Sequence, residues 1–157
     1  MPPTIRQPGA GRTVSILGHV ARFLVTGEET SGRYAMFENT VEAGDGGPPP
    51  HTHRNEEESF YVLEGTLTFL ADGKAITAGP GTFVNMPAGV PHTFRNDSGK
   101  RARALITLAP AGLERMFLGY CKPLPDGATT APPPTPEEID RLIKAAPSFG
   151  IEFVKPG

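Results

Sequence analysis

His51-Thr52-His53-Arg54-Asn55-Glu56-Glu57-Glu58-Ser59-Phe60-Tyr61-Val62-Leu63-Glu64-Gly65 sets two histidines two residues apart, then a carboxylate run at the head of a β-prone segment. A second stretch, Gly81 to Asn96, carries Pro87, Gly89 and His92. Alternate residues of an extended chain face one side. His51 and His53 therefore share a face, and the Pro48-Pro49-Pro50 run before them favours extension. On the next strand Glu58, Phe60 and Val62 fall together, which carries the carboxylate into a partly apolar interior. His92 opens a later strand after the Pro87-Ala88-Gly89 turn and shares its face with Phe94 and Asn96. A carboxylate among Phe and Val side chains is unfavourable unless it is paired or bound to a cation. His51, His53, Glu58 and His92 thus read as one metal site. Imidazole and carboxylate ligands suit one divalent Fe, Mn, Ni, Co, Cu or Zn ion per chain. Glu56 and Glu57 read as a solvated turn, and His19, with no partner nearby in the sequence, as a surface or hydrogen-bonded core residue.

Outward from this stretch, 19 Gly and 18 Pro punctuate short apolar runs, the texture of an all-β chain with many turns. Thr13 to Thr26 predicts two strands broken at Gly18, and Arg33 to Glu42 a third. Ser59 to Ala71 and Lys74 to Ala78 flank Asp72-Gly73, a hairpin signal because both central residues of a type I′ turn need positive φ. Thr82 to Met86, Val90 to Asn96 and Arg101 to Ala109 complete the run of strands. About nine short strands imply a sandwich or closed barrel, a core over residues 13–110 of a single domain spanning 1–157. The remainder, 111–157, is an extension. Within it Gly112 to Leu118 predicts helical turns, and residues 122–134 a Pro-rich connector lying on the surface. Thr135-Pro136-Glu137-Glu138 predicts a helix start, with Ile139, Leu142 and Ile143 as its apolar stripe. Pro147 ends that helix, and Ile151 to Val154 closes the chain as a short strand.

The net charge of −2 gives no reason to expect nucleic acid or an acidic membrane as partner. The lone Cys121 cannot form an internal disulfide and fits a reducing compartment. The first residues lack the apolar run of a signal peptide, and no stretch approaches the ~20 apolar residues of a membrane span. A cytoplasmic location is the expectation.

At these residues the chain resembles the cupin superfamily. His51, His53, Glu58 and Gly65 match the first cupin motif, with Asp45 standing at its leading Gly between Gly44 and Gly46, a small loop adjustment. Gly81, Pro87, Gly89, His92 and Asn96 match the second motif in full. The resemblance implies a jelly-roll β-barrel with short C-terminal helical segments, a metal bound inside, and a homodimer. Gly27 to Arg33, the Gly-Pro-Pro-Pro-His loop, Pro110 to Phe117 and Phe149 to Phe153 are similar to small single-domain cupins related to quercetin 2,3-dioxygenase.

That likeness implies a metal-dependent dioxygenase acting on a small enolisable or aromatic, flavonol-like substrate. His51, His53 and His92 would hold the metal, and Glu58 would be both ligand and catalytic proton acceptor. Met36, Phe37, Phe60, Val62 and Phe94 would shape the substrate pocket, with Leu113, Met116 and Phe117 over its mouth. Two other classes fit the same barrel: an isomerase or lyase that uses the metal as a Lewis acid, and a non-catalytic small-molecule-binding module. A sugar phosphate would want inward Lys or Arg, and Arg95, Arg101 and Arg103 lie out of phase with His92 or beyond its strand.

Overall fold

The computed structural model describes residues 1–155 and consists of two antiparallel sheets laid face to face. The first sheet holds β1 (Thr13–Ile16), β2 (His19–Val25), β3 (Ala35–Val41), β5 (Glu57–Glu64), β8 (Phe83–Met86), β10 (Ala102–Ala109) and β11 (Lys122–Leu124). The second holds β4 (His51–His53), β6 (Leu67–Ala71), β7 (Lys74–Ala78), β9 (His92–Arg95) and β12 (Ile151–Phe153). Spatial orders are β11-β1-β2-β3-β10-β5-β8 and β12-β4-β9-β6-β7. Among the described residues the sheets are not joined into one hydrogen-bonded barrel, so the fold is an open jelly roll of two layers.

Period-two alternation builds the interface between the layers. On β3 Ala35, Phe37, Asn39 and Val41 point inward, and on β10 Ala102, Ala104, Ile106 and Leu108 do the same. Phe60 from the first sheet meets Phe69 and Phe94 from the second at ring separations of 4.8 and 5.6 Å. Each such buried ring contributes about 1.5–3 kcal/mol through lost water contact.

The Asp72-Gly73 hairpin forms as its sequence predicts, with φ of 49° and 76° at the two turn residues. Elsewhere the elements differ from the sequence expectation. Ser59 to Ala71 is not one strand, because the chain leaves β5 and enters the other sheet at Gly65. There φ is 72° and a Cβ would overlap the Arg101 carbonyl, so only glycine fits. Thr26 and Glu29 cap a one-turn helix, α1 (Gly27–Thr30), inside the predicted turn. The segment expected to lie along the surface instead supplies β11, paired with β1 through Val14↔Pro123.

Beyond β10 the chain forms α2 (Glu114–Tyr120) and α3 (Pro136–Ala145), followed by a 3-10 turn at Ala146–Phe149. It then runs as β12 beside β4, with Ile151↔His53 and Phe153↔His51 in register. The C-terminal segment thereby adds an edge strand to each sheet and covers the strand that carries two of the histidines. Among the described residues no helix is long and apolar enough to cross a membrane.

Candidate metal centre

Three strands, β4, β5 and β9, converge on one point. His51 and His53 project from the same face of β4, and His92 stands opposite His51 in the β4–β9 register. Glu58 comes from the facing sheet, held on β5 between Leu108 of β10 and Met86 of β8. One ligand atom from each of the four lies within 4.8 Å of the others, and all four side chains are buried. His92 Nε2 is 3.2 Å and His53 Nε2 3.6 Å from Glu58 Oε1, while His51 Nε2 and His53 Nε2 are 3.1 Å apart.

The outer nitrogen of each ring fixes its tautomer. His51 Nδ1 donates to the Pro49 carbonyl at 2.8 Å, and His92 Nδ1 to the Val90 carbonyl at 2.9 Å. His53 Nδ1 donates to Glu56 Oε2 at 2.9 Å. With a proton on each Nδ1, the neutral rings aim their Nε2 lone pairs inward at one another and at a carboxylate oxygen. Such a convergence repels itself until a cation stands in the middle. Outer-shell hydrogen bonds of this kind also orient imidazoles for a metal ion, so the donor set fits one.

The charges respond to the same crowding. Burial pushes His51 down to about 4, against the pull of Glu58 and the Pro49 carbonyl, so it is neutral near pH 7. Burial alone would raise Glu58, but His92 beside it, with His53 and His51, outweighs that and holds the carboxyl below its ordinary range. Burial would likewise lower His53, but Glu56 and Glu58 win and raise it.

Glu56 departs from the sequence expectation of a solvated turn. It is 2% exposed, because its carboxylate turns back under His53. Asn96, the last residue of the second motif, is fully buried and donates from Nδ2 to the Val41 and Lys100 carbonyls, tying the end of β9 to β3.

The cluster opens on a cavity of about 150 Å³ between the sheets, walled by apolar side chains and covered by the C-terminal segment. Phe37, Phe94, Met116 and Phe117 line it, together with Leu113. Phe60 and Val62 are buried in the core without lining the cavity, and Met36 alternates away from the inward face of β3. Ile106 and the α3 residues Ile139 and Leu142 are wall residues that sequence reasoning did not select. So are three polar residues: Asn39, His19 and Asp45. His19 is buried and its Nε2 donates to Asp45 Oδ1 at 2.8 Å. The departure of Asp45 from the leading Gly was the visible signal for that pair, and the inward phase of β3 was the signal for Asn39. No Lys or Arg lines the cavity among the described residues. Arg95 pairs with Asp97, Arg101 with Glu42, and Arg103 with Glu38 and Glu64.

Comparison with known proteins agrees with this layout. The model of the Cupin domain family matches residues 37–108, which contain all four clustered residues. Quercetin 2,3-dioxygenase of Bacillus subtilis is 26% identical over 154 residues. The match takes in 98% of this chain but spans only 45% of that relative's length. A protein from Thermotoga maritima described as a predicted oxalate decarboxylase superimposes with a TM-score of 0.61 at 17% identity, over 68% of this chain and 98% of that one. A cupin sugar phosphate isomerase from Silicibacter pomeroyi gives 0.51 at 23% identity, over 59% of each chain. At these identities the two structures share the fold.

Proposed function

This chain is a cupin-superfamily protein, and on that premise we propose that it is a metal-dependent dioxygenase acting on a small enolisable or aromatic, flavonol-like substrate. The observation that carries the proposal is the inward convergence of three imidazole Nε2 atoms and the Glu58 carboxylate at the end of an apolar cavity. His51, His53, His92 and Glu58 would hold one divalent transition metal, whose open positions supply Lewis acidity toward a substrate oxygen and a place for dioxygen.

The chain's own residues do the rest. The Glu58 carboxylate accepts the proton of the substrate enol or phenol, and its place on β5 between Leu108 and Met86 fixes its position. Phe37 and Phe94 hold an apolar ring body, while Leu113 and Met116 close the cavity against water. Both atoms of dioxygen enter the products, so the reaction needs no external reductant. The absence of cationic side chains from the wall among the described residues favours a substrate without phosphate. The quercetin dioxygenase likeness supports the reaction type. We extend the proposal to a cytoplasmic homodimer, supported by the lone Cys121 and by the exposed pair Tyr61 and Phe83 at the β8 edge.

Oxygen uptake by the metal-loaded protein with flavonols and catechols is the test. Uptake in step with substrate loss, reduced at least about a hundredfold in Glu58→Gln at equal metal content, is the expected result. Turnover that continues under argon would replace this reading with Lewis-acid isomerase or lyase chemistry. Tight binding without turnover would make the protein a binding module.

A further inference from the structure

Asn39 Oδ1 is buried without a hydrogen-bond partner among the described residues, and Asn39 lines the same cavity as the histidine cluster. The residue is 4% exposed. Its cross-strand neighbours explain the isolation: Ala21 of β2 and Ala104 of β10 stand directly opposite, offering neither a polar atom nor bulk. A desolvated acceptor without a partner destabilises a fold, and native chains carry few of them.

A second polar group lies next to it. Val20 pairs with Thr40 and Ala21 with Asn39, which puts His19 diagonal to Asn39, about 7–8 Å away between backbones. The His19 ring is held by Asp45 Oδ1, which also accepts from the Gly47 N–H at 2.9 Å, and it lies 5.9 Å from the Phe94 ring. With Nε2 committed to Asp45, Nδ1 is the imidazole's remaining polar atom.

The location relative to the metal cluster follows from register. Glu58 pairs with Leu108, and Leu108 with Ala35, four residues before Asn39 on β3. Asn39 is therefore two inward side-chain rows from Glu58, about 13 Å along the strand direction. Phe37 and Ile106 form the row between.

We propose that Asn39 and the Asp45-held His19 form a second polar subsite, which receives a hydroxyl or amine donor on the end of the substrate remote from the metal. The ligand class is then a metal-chelating ring bearing a short arm that ends in a hydrogen-bond donor. This inference rests on the proposal that the substrate binds the metal cluster. It adds a specificity-determining residue, Asn39, that takes no part in metal binding.

The test uses the cobalt(II)-loaded protein under argon and two catechols matched in shape, 4-(2-hydroxyethyl)catechol and 4-propylcatechol. Calorimetric titration gives affinity, and the cobalt absorption bands report arrival at the metal. Wild type is expected to bind the hydroxyethyl compound about tenfold more tightly, as one desolvated hydrogen bond allows. Asn39→Leu should abolish that preference while keeping its affinity for 4-propylcatechol. Without ligand this variant should melt no lower than wild type, because an unpaired acceptor has been replaced by a similar apolar shape. Equal affinities in wild type, or a preference that survives in Asn39→Leu, overturn the inference. If Asn39→Leu does not fold, the wild-type pair decides, and Asn39→Ala supplies the variant arm. Catechols that shift the cobalt bands without discrimination overturn the inference alone. Catechols that leave the bands unchanged overturn the metal-bound reading and the inference with it.

Discussion

Glu56 shows how one side chain sets the quality of a donor it does not replace. Its carboxylate holds the Nδ1 proton of His53 at 2.9 Å, which fixes the tautomer and makes Nε2 a better base. Glu56→Ala should weaken metal affinity about 10–100-fold, as loss of an outer-shell partner does, with the fold retained. Competition against a chromophoric chelator measures this, and an affinity within twofold of wild type would remove Glu56 from the site. Period-two phase selected Glu58 correctly as the inward member of the triplet, but Glu56 lies before the strand begins, where phase does not direct a side chain. Folding back under His53, three residues earlier, is a turn contact that strand alternation does not describe. His51 makes a separate prediction for the metal-free protein. Its folded value of about 4 lies below the ordinary 6.5, so between these pH values the unfolded chain binds more protons and stability rises with pH. At about 1.4 kcal/mol per unit, the effect is at most about 3 kcal/mol. His53, shifted the other way, contributes stability that is complete below its unfolded value and is lost as pH rises through its higher folded one. The two windows separate: His51→Gln should flatten the denaturation free energy from pH 4 to 6.5, and an unchanged slope there would contradict the burial of His51.

At the scale of elements, α3 and β12 carry structure that is partly local and partly long-range. The start of α3 was legible because a capping box is a local device. Thr135 Oγ1 accepts from the Glu138 N–H at 3.2 Å, and Glu138 Oε2 accepts from the Thr135 N–H at 3.0 Å. Thr135→Ala should lower stability by about 1 kcal/mol in chemical denaturation, leaving metal content unchanged. A loss of metal in that variant would mean that α3 supports the cluster directly. Leu142 and Ile139 of this helix wall the cavity, whereas the sequence shows only that they form an apolar stripe. What such a stripe packs against is not a local property. The same limit hid β11 and the split of residues 59–71. β11 exists through pairing with β1, more than a hundred residues earlier in the chain, and Gly65 turns because the Arg101 carbonyl occupies the space of a side chain.

On the scale of the whole molecule, the histidine cluster joins the two layers of the jelly roll. His51, His53 and His92 belong to the five-stranded sheet, and Glu58 to the seven-stranded one. Without an ion the layers meet here through close contacts between buried imidazole nitrogens and a carboxylate, at some desolvation penalty. A bound ion would replace those contacts with bonds from one centre to both sheets. Because only the folded chain brings His92 and Glu58 to the His51-Thr52-His53 pair, an ion that binds the folded state stabilises it by mass action. At free metal one hundredfold above its dissociation constant the gain is about 2.7 kcal/mol. For a domain of this size that corresponds to a rise in Tm of about 5–10 °C. Differential scanning calorimetry with cobalt(II), before and after a chelator, reads the shift and its reversal. Glu58→Gln should keep three imidazoles on one sheet, bind the ion more weakly and show a smaller shift, since one of the four donors is weakened. His51→Ala should lose it as well, while leaving the metal-free Tm close to that of wild type. A shift undiminished in both variants would mean that the ion stabilises the protein from somewhere else, and the four-residue centre would fall.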